Sequence, residues 1–282
     1  MPIKILIDSA SDISRVEAQK MGIEMVSLRV SFEKEEYYDG VDLLPEQFYE
    51  KLIETDIMPK TSQVNPYQFS EVYEKLVNEG NQVLVITLSS KLSNTYNSAV
   101  VASQEYKDKV FVVDSLNVAV GERLLCEYAL RLIDKGLTIK EIVDELNLQK
   151  KKINLIAVVD TLKYLQKGGR ISKIAAFAGT ILSLKPVLAI VDGEVKMLGK
   201  ARGSKKANNL LVELIQKKGG IDFNKPFGTL YSGLSDVEIK KYIKDHTYLW
   251  ENDANEVPIH IIGSTIGTHI GPGAVGVAFF EK

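Results

Sequence analysis

The sequence predicts an α/β protein in two parts: an N-terminal, largely parallel α/β domain, then a C-terminal α+β domain with a mainly antiparallel sheet. Three observations carry that prediction. Up to Val159, short apolar runs alternate with stretches of helical periodicity, the pattern of strands joined by crossover helices. Beyond Val159 the pattern changes, and Asp192-Gly193 sits between two apolar runs as a hairpin turn, which implies antiparallel pairing. The length of 282 residues suits one or two domains, and the change of pattern favours two, 1–159 and 160–282.

The strands of the first part are read at Ile3–Ile7, Val83–Leu88, Val110–Val113 and Ile153–Val159, each a short apolar run bounded by polar residues. Between them lie helices over Leu44–Glu54, with Asp42 as cap and Pro45 in the first turn, and over Tyr67–Asn78, opened by Asn65-Pro66. Further helices are expected over Asn94–Glu105, Val118–Asp134 and Ile139–Leu148. Met25–Phe32 with Tyr37-Tyr38 reads as a small hairpin or extended excursion outside the core sheet. In the second part, Lys167-Gly168-Gly169-Arg170 breaks the chain and an apolar helix is expected over Ile171–Leu182. Strands Pro186–Val191 and Val195–Leu198, helix Ser204–Lys217, strand Phe227–Ser232, helix Ser235–Lys244 and strands near Val257–Ile262 and Ala274–Glu281 follow.

Composition removes several classes of function. With 45% hydrophobic and 26% charged residues the chain has the make-up of a globular protein, and a net charge of -2 gives no basic footprint for nucleic acid. The single cysteine, Cys126, lies in a helical pattern and reads as packing; it allows no intramolecular disulfide, which fits a cytoplasmic location. His246, His260 and His269 lack metal-ligand spacing, so no metal is expected. Neither a G-x-x-x-x-G-K-[ST] loop nor a G-x-G-x-x-G after the first strand is present, which disfavours those two modes of nucleotide binding. The start of the chain reads as a strand rather than a signal peptide. Val257–Phe280 carries no Asp, Glu, Lys or Arg, but its glycines and prolines point to strand, loop and strand.

Three polar segments border apolar elements. Val83–Leu88 runs into the hydroxyl-dense turn Ser89–Tyr96, where backbone N–H groups and a helix N-terminus suit a carboxylate or phosphate; capping of the helix by Ser93 is the alternative use. Lys60-Thr61-Ser62-Gln63 precedes a helix. Gly263–Gly273 reads as a glycine-rich loop carrying His269 and three hydroxyls, which lets backbone approach a ligand beside an imidazole.

Asp8-Ser9-Ala10-Ser11-Asp12-Ile13, Thr61-Ser62-Gln63, Ser89–Ala99, Asp160-Thr161-Leu162-x-Tyr164-Leu165-x-Lys167-Gly168-Gly169-Arg170-Ile171 and Gly267-Thr268-His269-x-Gly271-Pro272-Gly273-Ala274 together resemble the DegV family, in that family's order and from about residue 3 to the C-terminus. The resemblance implies a DegV-type two-domain fold and a non-catalytic protein that binds one long-chain fatty acid between its domains. It implies a partner too, the catalytic subunit of a fatty acid kinase. That subunit would phosphorylate the presented carboxylate, and the acyl phosphate would enter phospholipid synthesis, with transient membrane contact. No cofactor is implied beyond the bound fatty acid. Carried over by residue, Thr61, Ser93, the N–H of Asn94 and His269 would hold the carboxylate, and Arg170 and Arg202 match the kinase-docking surface. The family commonly has Gly at the position of Asn94; Asn tolerates left-handed backbone, so the turn is expected to persist.

A fatty acid needs an apolar tunnel as well as a polar end. Phe177, Ile181, Leu182, Leu184, Leu188 and Ile190 form a dense apolar run available to line it, with core packing as the alternative use of each. A second reading, resting on fold analogy with dihydroxyacetone kinases, is an enzyme or phosphotransfer component acting on a small carbonyl substrate held by His269.

Overall fold

The computed structural model describes residues 1–55, 57–171, 184–251 and 254–282. In chain order the first part contains β1 (Ile3–Asp8), α1 (Arg15–Met21), β2 (Glu24–Val26), β3 (Arg29–Phe32), β4 (Glu35–Tyr38), α2 (Pro45–Glu54), β5 (Lys60–Ser62), α3 (Pro66–Asn78), β6 (Gln82–Thr87), α4 (Thr95–Ser103), β7 (Val110–Asp114), α5 (Ala119–Asp134) and α6 (Ile139–Gln149). The remainder contains β8 (Ile153–Val158), α7 (Lys163–Lys167), β9 (Leu184–Val191), β10 (Glu194–Arg202), α8 (Ser204–Lys217), β11 (Phe227–Tyr231), α9 (Val237–Asp245), β12 (Ile259–Ile261), α10 (Ser264–Ile270) and β13 (Val275–Phe280). The helix expected over Ile171–Leu182 lies outside the described residues from 172 onward.

Local chemistry sets many of the boundaries. Reciprocal capping boxes start α1 at Ser14 and Glu17, α3 at Asn65 and Gln68, and α6 at Thr138 and Glu141, and Pro66 occupies the first turn of α3. Asp42 does not cap α2. Its Oδ1 accepts from the N–H of Tyr38 at 2.5 Å, and the cap position is Leu44, whose N–H is taken by Gln47.

Sheet one has the order β2-β1-β6-β7, all parallel; sheet two has the order β10-β9-β8-β13-β11-β12 and is antiparallel except for β11 and β12; β4-β3-β5 form a small antiparallel sheet. Two expectations change here. Met25–Phe32 is not wholly an excursion, because β2 pairs in parallel with β1 and only β3 and β4 make the hairpin. The strand at Ile153–Val159, grouped by the sequence with the parallel strands, is antiparallel to both β9 and β13 at the centre of sheet two. Every residue of β8 is buried. A continuous apolar run reports burial of both faces, not direction.

Helix α5 packs between the two sheets, touching β1 and β6 on one side and β8, β11 and β13 on the other. The main core therefore runs from Val83–Ile86 across α5 to Leu155 and Ala157, while the alternate residues Ile156 and Val158 face a second core under α8 and α9. Cys126 is fully buried in α5, and burial pushes its thiol up, as suits packing. The uncharged Val257–Phe280 segment is divided among β12, α10 and β13, and among the described residues no helix is long and apolar enough to cross a membrane.

Buried acids stand where the elements meet. Asp8 is fully buried and accepts from the N–H groups of Ala10 at 2.9 Å and Leu88 at 2.8 Å, joining the ends of β1 and β6. Burial raises its pKa to about 7, against those two hydrogen bonds and with help from Asp39. Glu122 on α5 is fully buried with no hydrogen-bond partner for either oxygen among the described residues, and burial holds it well above the usual carboxylate range. A carboxyl with a raised folded-state pKa confers stability that is complete at low pH and is lost as pH rises toward that pKa. The stability advantage of the wild-type chain over Asp8→Asn is therefore expected to fall by roughly 3 kcal/mol between pH 5 and pH 8. Urea unfolding of both proteins across that range isolates Asp8, since every other titration is common to the pair; a difference independent of pH would show that Asp8 titrates as an ordinary carboxylate.

Candidate functional site

Three elements from distant parts of the chain converge on one cavity: β5, the turn after β6, and α10. On β5, Thr61 is half-buried between exposed Lys60 and Ser62, the alternation of an edge strand with one side chain turned inward. Its Oγ1 lies 2.9 Å from Nε2 of His269, 208 residues away in sequence.

His269 is not on a loop. The glycine-rich segment expected between the last two strands is the helix α10, ending at Gly271 with φ of 72°. Gly267 is there for close approach, since a Cβ at that position would sit 2.6 Å from the ring of Phe48 and 2.9 Å from the Tyr49 hydroxyl. The helix presents Thr265, Ile266, His269 and Ile270 to the cavity, one face at positions i, i+1, i+4 and i+5.

Burial first, and then the nearby Arg170 guanidinium, lower the pKa of His269 to about 4, so its ring is neutral at physiological pH. Its Nδ1 has no hydrogen-bond partner among the described residues and is packed against Gly168, where a Cβ would lie 2.3 Å from that nitrogen. A buried N–H without an acceptor is costlier than an unfilled lone pair, which assigns the ring proton to Nε2. Nε2–H then donates to Thr61 Oγ1, and the hydroxyl proton of Thr61 is free to serve an anion in the cavity.

The hydroxyl-dense turn is more self-satisfied than its composition implies. The N–H groups of Ser89, Ser90, Lys91, Leu92, Ser93 and Thr95 are taken by Asn117, Asp114 and the Ser89 and Ser93 oxygens. Ser89 Oγ in turn donates to the Gly193 carbonyl at 2.8 Å, fastening the turn to the β9–β10 hairpin. This leaves the N–H of Asn94 without a protein acceptor among the described residues, next to Ser93, whose Oγ is 2.9 Å from Thr95 Oγ1. Left-handed backbone is not required at Asn94, which has φ of -79°. Its side chain is exposed and accepts from Asn97 at 2.5 Å, turned along α4.

The cavity has a volume of about 350 Å³. Thr61, Ser93, Asn94 and His269 all line it, as does Arg170, so the four residues expected at a carboxylate border the same cavity. Arg170 donates from Nε to Leu92 O at 3.3 Å and from Nη1 to Gly168 O at 2.6 Å, bridging the turn after β6 and the end of α7. Leu188 and Ile190 line the apolar part; Leu184 does not, and Phe177, Ile181 and Leu182 lie outside the described residues. Arg202 is exposed at the end of β10, opposite Leu184, and is not part of the lining. The sequence reading missed Leu28, Leu92, Leu155, Leu230, Ile262 and Ile266. Of these, Leu155 carried a usable signal, since it shares a face with Ala157 by the two-residue strand period. Among the described residues no group of His, Cys, Asp and Glu is placed to hold a metal ion.

A polar mouth of hydroxyl, amide N–H and neutral imidazole on an apolar cavity suits a ligand with one anionic end and a hydrocarbon body. Comparison with known proteins points the same way. The chain is 36% identical over 294 residues to a DegV domain-containing protein of Caldanaerobacter subterraneus subsp. tengcongensis, covering 99% of each. It superposes with a TM-score of 0.87, at 30% identity and with 100% of both chains covered, on a Thermus thermophilus DegV family protein described for its fatty acid binding. A Thermotoga maritima protein reported to reveal a fatty acid binding function matches with a TM-score of 0.85 at 31% identity, again over 100% of both chains. The model of the family described as uncharacterised protein, DegV family, spans residues 2–282, and on that match, together with the shared fold, the chain belongs to the DegV family.

Proposed function

We propose that this protein binds one long-chain fatty acid, with the acyl chain in the apolar cavity and the carboxylate among Thr61, Ser93, the Asn94 N–H and His269. The observation that carries the reading is that those donors line the same cavity as Leu28, Leu155, Leu188, Ile190, Leu230 and Ile262, with Ser62, Gln63, Arg170 and Thr265 the other polar residues of the lining. Burial of a sixteen-carbon chain offers on the order of 12 kcal/mol gross, from ~0.8 kcal/mol per methylene, before the costs of association. Neutral donors hold the anion without enclosing it in a bidentate ion pair, which leaves it open to reaction. In this reading the chain is non-catalytic and cytoplasmic. It hands the carboxylate to the catalytic subunit of a fatty acid kinase for phospholipid synthesis, touching the membrane transiently. The working division is 1–159 and 160–282, with β8 crossing from the first part into sheet two and the acyl chain between the two sheets.

Protein purified from a bacterial host is expected to carry fatty acid identifiable by native mass spectrometry and solvent extraction. A protein that arrives empty and takes up no added fatty acid overturns the reading. Thr61→Ala and Ser93→Ala should each weaken binding by about 1 to 3 kcal/mol, the cost of stripping one partner from a buried anion.

Gly168 offers a sharper check on the imidazole. Its backbone is right-handed helical, φ of -75°, so alanine is tolerated by the chain itself, yet the new Cβ would sit on His269 Nδ1. Gly168→Ala should displace the ring and weaken fatty acid binding about as much as His269→Ala, with little change in melting temperature. Wild-type affinity in both variants would remove His269 from the site.

For the kinase partner, Arg202→Ala is expected to leave fatty acid retention unchanged and to lower the rate at which a fatty acid kinase subunit phosphorylates the bound acid. Unchanged phosphorylation would take Arg202 out of the docking surface.

A further inference from the structure

Helix α10 brings His269 to the cavity, but the groups that fix its start lie in the first part of the chain. Ser264, its first residue, donates to Asp39 Oδ1 from both the backbone N–H, at 3.1 Å, and the side-chain Oγ, at 2.5 Å. The N–H of Gly263 is taken by Asp12 Oδ1 at 2.9 Å. These are N-terminal caps supplied in trans, across 225 and 251 residues of sequence, and they satisfy donors that a helix cannot satisfy from within. Glycine at the position before the helix leaves the two acids unhindered in their approach. A Cβ on Gly263 would lie 3.0 Å from Asp12 Oδ1 and 3.4 Å from Asp39 Oδ1.

Asp39 is itself held firmly. It is 2% exposed, its N–H donates to the Leu28 carbonyl at 3.0 Å, and its own carbonyl accepts from Ser27 Oγ at 2.8 Å. It directly follows β4, in the same small sheet whose β5 carries Thr61. The same sheet thus holds α10 at Ser264 through Asp39, next to β4, and meets it again at His269 through Thr61 on β5, five residues or about 7.5 Å further along the helix axis. The 2.9 Å contact between Thr61 and His269 is the far end of that span.

We propose that Asp39 is a positioning residue for the carboxylate site: by capping α10 from the sheet that bears Thr61, it sets the spacing of Thr61 and His269, with Asp12 as the second cap. This inference rests on the reading of the cavity as a fatty acid site and adds to it a residue that does not touch the ligand. Burial of Asp12, strengthened by the nearby Asp39 and opposed by the Gly263 N–H, raises its pKa well above the usual carboxylate range, so the paired acids do not place two full charges side by side.

The test compares hexadecanoic acid with hexadecan-1-ol, which share a tail and differ in the headgroup, on wild type, Asp39→Asn, Asp39→Ala and Ser264→Ala. Wild type is expected to prefer the acid. Asp39→Ala should lose about ten-fold of that preference, the order of one hydrogen bond to a charged group, while binding the alcohol as before. Asp39→Asn keeps an oxygen to accept from Ser264 and should retain most of the preference. Ser264→Ala removes the hydroxyl from the other side and should lose part of it, which keeps the inference testable if Asp39→Ala does not fold. Equal weakening of acid and alcohol in the alanine variants would make Asp39 merely structural, and an unchanged preference would show that α10 is positioned without it; either overturns the inference alone. A wild type that binds neither compound overturns the fatty acid reading and this inference with it.

Discussion

The contact between Thr61 and His269 is the constraint on which the rest of the molecule depends, because neither residue is useful to an anion without the other. A neutral imidazole that donates to a hydroxyl orients that hydroxyl, and the oriented hydroxyl becomes the donor the cavity needs. Holding the pair together requires an edge strand from the first part of the chain and a helix from the last part. The long-range pairing of β1 with β6, the insertion of α5 between two sheets and the buried acids at the seam all serve to hold those two elements in register.

The acids show why such a seam is sustainable. Isolated buried carboxylates are expensive when charged, and the cheap escape is to keep their protons. Asp8 and Glu122 are both pushed that way, and the two oxygens of Asp8 each accept one backbone N–H, from Ala10 and from Leu88, at the ends of β1 and β6. Polar groups in the interior thereby fix which strand end meets which, a task that hydrophobic contacts perform with less precision because they are not directional.

How much of this could be read from sequence depended on which physical signal each residue carried. Strands β1, β6 and β7 and the helices α3 and α6 were legible, because apolar runs and Asn-Pro or Thr-x-x-Glu pairs act locally, whereas the short strand β2 was read as an excursion and α1 was not read despite its Ser14-x-x-Glu17 box. The strand β8 was legible as a strand but not as antiparallel, since direction is decided by its partners β9 and β13, the latter more than a hundred residues away. Helix α10 was hidden by its own glycines. Gly267 reads as a loop former until Phe48 and Tyr49 are seen against it, and nothing near it in sequence announces them. For the site, Thr61, Ser93, Asn94 and His269 were reached through the family resemblance, whereas the trans caps Asp12 and Asp39 stood in the sequence without a visible task, because the donors they serve lie at the opposite end of the chain.

Arg170 gives the mouth of the cavity a particular charge balance. Its guanidinium stands close enough to His269 to disfavour a second cation there, and among the described residues it is the one charged side chain of the lining, beside a neutral ring. In the proposed fatty acid site a single carboxylate would balance that charge. A balanced pair is the least costly state to shut away from water, and a neutral headgroup, lacking the matching charge, would leave the half-buried guanidinium unbalanced. Selection for an acid over its ester or alcohol can therefore reside in the net charge of the mouth as much as in the hydrogen bonds that line it.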